Sequence, residues 1–170
     1  ALTRPADVHE AAPCNPPQSG ADTVSLGQQV SPSEMAEVEP ARLADARIRV
    51  LNASGRAGQA ADVATELREL GFPDPGADND PVYADTRLIC QGQIRFGPAG
   101  RAAAAAVWLV APCTELYQDG RPDDTVDLAL GTEFTSLSRG DDTEAALAGL
   151  RQDATEPPDP DLLAKLHSSC

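Results

Sequence analysis

Residues 48–57 read IRVLNASGRA, and residues 94–102 read IRFGPAGRA. Each is a run of β-branched or aromatic residues, a small-residue turn containing glycine, and an Arg-Ala pair opening an alanine-rich segment. The second copy lies 46 positions on at Ile48 and Ile94 but 45 on at Gly55 and Gly100, so its turn is one residue shorter. In RIRVLN (47–52) Ile48 and Val50 fall on one side of an extended chain, with Arg47 and Arg49 on the other, as in a half-buried strand. From Gly58 to Leu70 the apolar residues Ala60, Val63, Ala64, Leu67 and Leu70 recur at helical spacing, with Asp62, Glu66 and Arg68 opposite. Gly71 fits the left-handed stop position and Phe72 the hydrophobic contact that follows it. The pair of stretches therefore predicts a strand-turn-helix unit used twice.

Outward from this pair, PDPGADNDP (73–81) is a loop by composition. TRLICQGQIRF (86–96) is extended chain interrupted at Gly92, and residues 98–111 form the second helix, stopped by Pro112. CTELYQD (113–119) reads as a strand, and GRPDD (120–124) as a turn. TVDLAL (125–130) reads as a strand with Val126, Leu128 and Leu130 on one face. Residues 1–46 carry six prolines, which predicts an extended arm with one short helix between Ser33 and Val38. At the other end, residues 141–152 suggest a helix, and a last one starts with Asp159 as N-cap and Pro160 at its first position. The expected division is an arm over 1–46, an α/β domain over 47–137 and an acidic helical tail over 138–170. The element order β-α-β-α-β-β predicts an α/β or α+β fold, a small sheet of about four strands with two main helices packed on it.

Charge and composition exclude several classes. With 27 acidic and 13 basic residues the net charge is −14, unsuited to general nucleic-acid binding or to adhesion on an anionic membrane. No apolar run reaches the ~20 residues of a spanning helix. Trp108, in a helix rich in Ala, Val and Leu, reads as a core residue. The only histidines, His9 and His167, fall in the predicted arm and tail. No G-x-S-x-G elbow surrounds any serine, so no catalytic residue is assigned. No cofactor and no metal site are expected, since the cysteines lack the close pairing of zinc ligands.

The two glycine turns are the candidate site. Helix N-termini attract anions. If the two strands are parallel neighbours, both turns share one rim of the sheet. Asn52, Ser54, Gly55 and Arg56 from the first turn, with Gly100 and Arg101 from the second, would then form a two-armed anion site. Against this, neither turn carries a Walker or G-x-G-x-x-G pattern, and Asn52 or Ser54 can cap the following helix without any ligand. The turns are first of all folding devices.

Four cysteines, Cys14, Cys90, Cys113 and Cys170, suit two disulfides in an exported chain. Three pairings are open. If the helix at 99–111 returns the chain to the start of the preceding strand, Cys113 approaches Cys90, leaving Cys14 for Cys170.

The series IRVLNASGRAGQAADVATELRELGF, IRFGPAGRAAAAAVW and TVDLALGTEF resembles the LytR C-terminal domain family over roughly Arg47 to Phe134. The flanking CNPP, GQIRFGPAG and PCTELYQDGRPDDTVDLALGT segments are similar to an actinobacterial branch of that family. The resemblance implies an extracytoplasmic domain behind an N-terminal membrane anchor, with a role in envelope maintenance and, in mycobacteria, in virulence. It brings no catalytic residues. The family's domain often follows a LytR-CpsA-Psr transferase domain, which this chain lacks. A non-enzymatic module is expected, contacting such a glycan transferase or another envelope-building protein. The alternative is a binding module for an anionic glycan or a polyprenyl-pyrophosphate-linked precursor.

Overall fold

The computed structural model describes residues 13–17 and 26–170; His9, in the expected arm, lies outside them. Six strands form one mixed sheet in the order β1-β5-β4-β6-β2-β3. They are β1 (Gln28–Val30), β2 (Arg47–Asn52), β3 (Gly76–Asn79), β4 (Gly92–Phe96), β5 (Glu115–Gln118) and β6 (Thr125–Leu130). The helices are α1 (Pro32–Met35), α2 (Gln59–Glu69), α3 (Arg101–Val110), α4 (Asp141–Ala148) and α5 (Pro160–His167). The mixed α/β class stands as expected, with six strands rather than about four.

Two β-α-β units build the sheet. β2 and β3 are parallel neighbours joined through α2, and β4 and β5 are parallel neighbours joined through α3. β6 sits between them, parallel to β2 and antiparallel to β4. The two units therefore run in opposite directions, which periodicity along the chain cannot reveal. Ile48, Val50, Ile94, Phe96, Val126, Leu128 and Leu130 join residues of α2, α3, α4 and α5 in one core, so the helices cover a single face. Trp108 is part of that core, as expected.

The two added strands lie at the sheet's ends. β1 falls inside the segment read as an extended arm. It pairs antiparallel with β5, and Val30, Met35, Leu43 and Ala46 are buried. The short helix begins one residue before its expected start, with the Ser31 side chain accepting from Glu34 N–H. The tail is likewise integrated, since Ala146, Leu147, Leu150 and Leu166 enter the core. Its last helix starts as read, Asp159 accepting from Asp161 N–H with Pro160 in the first turn. At the end of α2, Gly71 has φ +112° and Phe72 N–H donates to Leu67 O, closing the helix as its sequence indicates.

The second face of the sheet is polar. One row crosses it through Arg49, Asp127, Arg95, Tyr117 and Gln29, each paired in register with the next. Arg49 binds Asp127 through two hydrogen bonds of 2.9 and 3.0 Å, and Arg121 reaches the same carboxylate at 3.0 Å. A small second cluster of Leu51, Ala53, Tyr83, Leu88, Cys90 and Ala129 lies beside this row. Loops, rather than helices, cover it.

Candidate functional site

The two turns expected to act together are on opposite rims. Gly92 at the start of β4 pairs with Leu130, which pairs with Asn52 at the end of β2. The turn after Phe96 therefore lies at the far end, where Gly100 packs near Asp124 O of the segment entering β6. Asn52, Ser54, Gly55 and Arg56 remain together on one rim, and Gly100 and Arg101 stand on the other. The expected two-armed arrangement fails because β6 separates the units and reverses one of them.

Each expected ligand residue has an internal role. Asn52 Oδ1 accepts from both Ser54 N–H and Ser54 Oγ at 3.0 Å, while its amide nitrogen donates to Arg56 O. Ser54 Oγ accepts from Arg56 N–H and also lies within hydrogen-bonding distance of Gln59 Oε1. This wraps the turn around its own backbone. The N-cap of α2 is Gly58 in the left-handed region, without a side-chain cap bond, so neither Asn52 nor Ser54 caps the helix. Arg56 donates to the carbonyls of Thr132 and Phe134, fastening the chain that leaves β6. On the far rim Arg101 binds Gln118 and lies 3.6 Å from Glu34.

Next to the first turn is a cleft of about 570 Å³ at the C-terminal ends of β2 and β3. The 52–57 turn forms one wall and the 79–87 loop the other. The rim beyond the carboxyl ends of parallel strands is where α/β sheets commonly form ligand sites. Composition alone marked 73–81 as a loop. The anchor that shapes the second wall was missed, because its two partners are distant in the pattern.

That anchor is Arg95, 1% exposed, bound to Asp80, 2% exposed. Two hydrogen bonds of 2.8 and 2.9 Å join guanidinium to carboxylate, and Gln93 Oε1 accepts two more from Arg95. Tyr83 lies under the guanidinium, 5.6 Å from its carbon to the ring centroid. The Tyr83 hydroxyl donates to Asn15 O at 2.6 Å and accepts from Gln93. Burial raises its pKa above the ordinary tyrosine value, against lowering by Gln93 and Arg95.

The cysteines pair as Cys14–Cys90 and Cys113–Cys170, not as Cys90–Cys113 and Cys14–Cys170. The premise about the helix was sound, for β4 and β5 start at the same end of the sheet. Cys90, however, belongs to the cluster on the polar face, whereas Cys113 follows α3 on the helical face. Cys14 instead brings the 13–17 segment across the polar face. There Asn15 accepts from Ile89 N–H and donates to Arg87 O, bracing the cleft's outer wall. Cys170 ties the end of α5 beside α3. His167 of α5 stacks on Trp108, centroids 4.0 Å apart, and burial lowers its pKa.

Among the described residues no group of three or more His, Cys, Asp or Glu is placed to hold a metal ion, and no helix is long and apolar enough to cross a membrane. Near the cleft the structure gathers carboxylates, amides, a guanidinium and hydroxyls suited to hydrogen bonding.

Comparison with known proteins places these features. A family model described as LytR cell envelope-related transcriptional attenuator matches residues 45–134. The chain is 64% identical over 171 residues to the cell envelope integrity protein Cei of Mycobacterium tuberculosis (strain ATCC 25618 / H37Rv), covering 99% of this chain and 79% of that protein. It also resembles the crystal structure of the soluble domain of a conserved hypothetical secreted protein from Mycobacterium marinum. That likeness has a TM-score of 0.84 and 66% identity, over 86% of this chain and 99% of that one.

Proposed function

This chain belongs to the LytR C-terminal domain family, and from that premise we propose that it supports cell envelope integrity as a non-enzymatic extracytoplasmic module contacting envelope-building proteins. A LytR-CpsA-Psr-type glycan transferase is the partner that the family resemblance points to. The same reading has the module held outside the membrane by an N-terminal transmembrane anchor. Two disulfides suit that oxidising location.

The observation that carries the contact is the open edge of the sheet at β3, where all four residues are exposed. Asp80 N–H donates to Asn52 O. In a parallel ladder backbone groups alternate in direction, so Gly76 and Asp78 turn theirs to β2 while Ala77 and Asn79 turn theirs outward. Asp78 Oδ1 already takes the Asn79 N–H at 2.8 Å, which blunts one end of the edge. Ala77 is the remaining docking point. Beside it a shallow cavity of about 210 Å³ is lined by Asn52, the α2 N-cap Gly58, Ala60 and Ala61 of α2, and Ala77, Asp78 and Asn79. Small residues there let another backbone approach closely. An extended partner segment with basic side chains fits this edge, given Asp74, Asp78 and the net charge of −14.

Ala77→Pro tests the reading, because proline on an edge strand removes an outward N–H and leaves the inner ladder intact. The variant is expected to keep the parent's melting temperature and fail to restore envelope integrity in cells lacking the protein. Full restoration by a stably folded Ala77→Pro would refute contact through this edge.

A further inference from the structure

We propose that the rim cleft is a second site, adjoining the β3 edge, that binds a neutral saccharide segment, gripped through its hydroxyl groups by Arg87 and Asp85. The cleft's 570 Å³ lies within the range of about 300–1,000 Å³ typical of small-ligand sites. Tyr83 is its only aromatic wall, and no Leu, Ile, Val or Met lines it, which disfavours a lipid tail or an apolar ligand.

The polar groups divide into used and unused sets. Asn52 is committed to its own turn and Asp80 to Arg95. Among the described residues, the side chains of Asn79, Asp85, Thr86 and Arg87 make no hydrogen bond or ion pair to another. They offer an acceptor-only carboxylate, a donor-only guanidinium, and an amide and a hydroxyl that do both. A vicinal diol matches that set, since each hydroxyl can accept from the guanidinium and donate to the carboxylate. An anion would gain Arg87 but meet Asp85 and a chain of net charge −14. A cation would meet Arg87.

The guanidinium packs against the first turn. A Cβ built on Gly55, at φ +81°, would stand 2.8 Å from Arg87 Nε and 3.0 Å from its Cζ. Arg87 thus lies directly against the glycine backbone, a position any side chain at 55 would occupy. Its own backbone is fixed by Asn15 donating to Arg87 O at 2.9 Å and by Leu88 N–H donating to Ala53 O at 2.9 Å. The turn with Gly55, a folding device and candidate anion site by its sequence, here has the Arg87 side chain packed against it.

The test is a titration of the oxidised, ¹⁵N-labelled chain with maltotriose and triacetylchitotriose as neutral probes, and with trigalacturonate and inorganic pyrophosphate as anionic ones. A neutral trisaccharide is expected to shift the amide resonances of residues 55, 79 and 85–87 at millimolar concentration. Arg87→Gln and Asp85→Asn should each weaken that binding about tenfold or more, the loss of one charge-assisted hydrogen bond. Arg101→Gln on the opposite rim should leave it unchanged. Three results would overturn the proposal: no shift at those amides with either neutral probe, tighter binding of either anion, or undiminished binding by both cleft variants.

Discussion

Replacing Arg95 with Met removes a buried cation that makes four hydrogen bonds, two of them to Asp80. Asp80 then keeps, of its recorded partners, only the backbone N–H of Val82. Breaking a buried pair by removing one partner typically costs about 3–5 kcal/mol, mostly from the uncompensated charge left behind. Met fills part of the vacated volume, so the cavity contribution is small and the carboxylate dominates. Urea unfolding of the oxidised chain should show Arg95→Met less stable by roughly 3–5 kcal/mol. In the double variant Arg95→Met/Asp80→Leu both charges are gone, and about half or more of the loss should return, since apolar replacement of a whole buried pair is often near neutral. A loss below about 1 kcal/mol for Arg95→Met, within the range of an exposed ion pair, would refute the assignment of Arg95 and Asp80 as the loop's anchor.

Two further outcomes follow from the tail and the disulfides. His167 is stacked on Trp108 with its pKa lowered by burial. Its contribution is therefore full above the unfolded value of about 6.5 and falls away as pH drops through that value toward the folded one. Protection factors of the amides across 160–167, corrected for intrinsic exchange, should fall between neutral pH and pH ~5, and His167→Phe should remove that fall; equal protection at both values would contradict it. Non-reducing peptide mapping should return Cys14 linked to Cys90 and Cys113 linked to Cys170. With partners 76 and 57 positions apart in sequence, each closure contributes about 4 kcal/mol in the chain-entropy view. Cys14→Ser/Cys90→Ser should raise exchange at 83–90, and Cys113→Ser/Cys170→Ser at 160–167. A Cys90–Cys113 peptide would contradict the structure.

What the sequence disclosed follows from which residues face a core. β2, α2 and β6 have one apolar side each, and their periods of 2 and 3.6 were legible. β3 is Gly-Ala-Asp-Asn with every residue exposed, so only backbone pairing to β2 makes it a strand, and composition reads it as loop. β1 has three residues and shows only Val30 to the core. Nor could periodicity order the strands. The placement of β6 between the two units, which put Arg56 and Arg101 on opposite rims, depends on pairing across the sheet. The site was half visible. Gly55 and its turn stood out by the repeated motif, but Arg87 and Asp85 carry no pattern, and Arg95 resembles Arg49 in an ordinary alternating strand. Their roles come from long-range partners, Asp80 for one and the Gly55 backbone for the other.

The most direct test of the central claim is photo-crosslinking in living cells from a probe residue at position 77, with position 101 on the opposite rim as control, read by mass spectrometry. Contact through the β3 edge predicts a discrete protein adduct from position 77, specific to that position. Contact through that edge is contradicted if position 77 yields no protein adduct, or yields the same adducts as position 101.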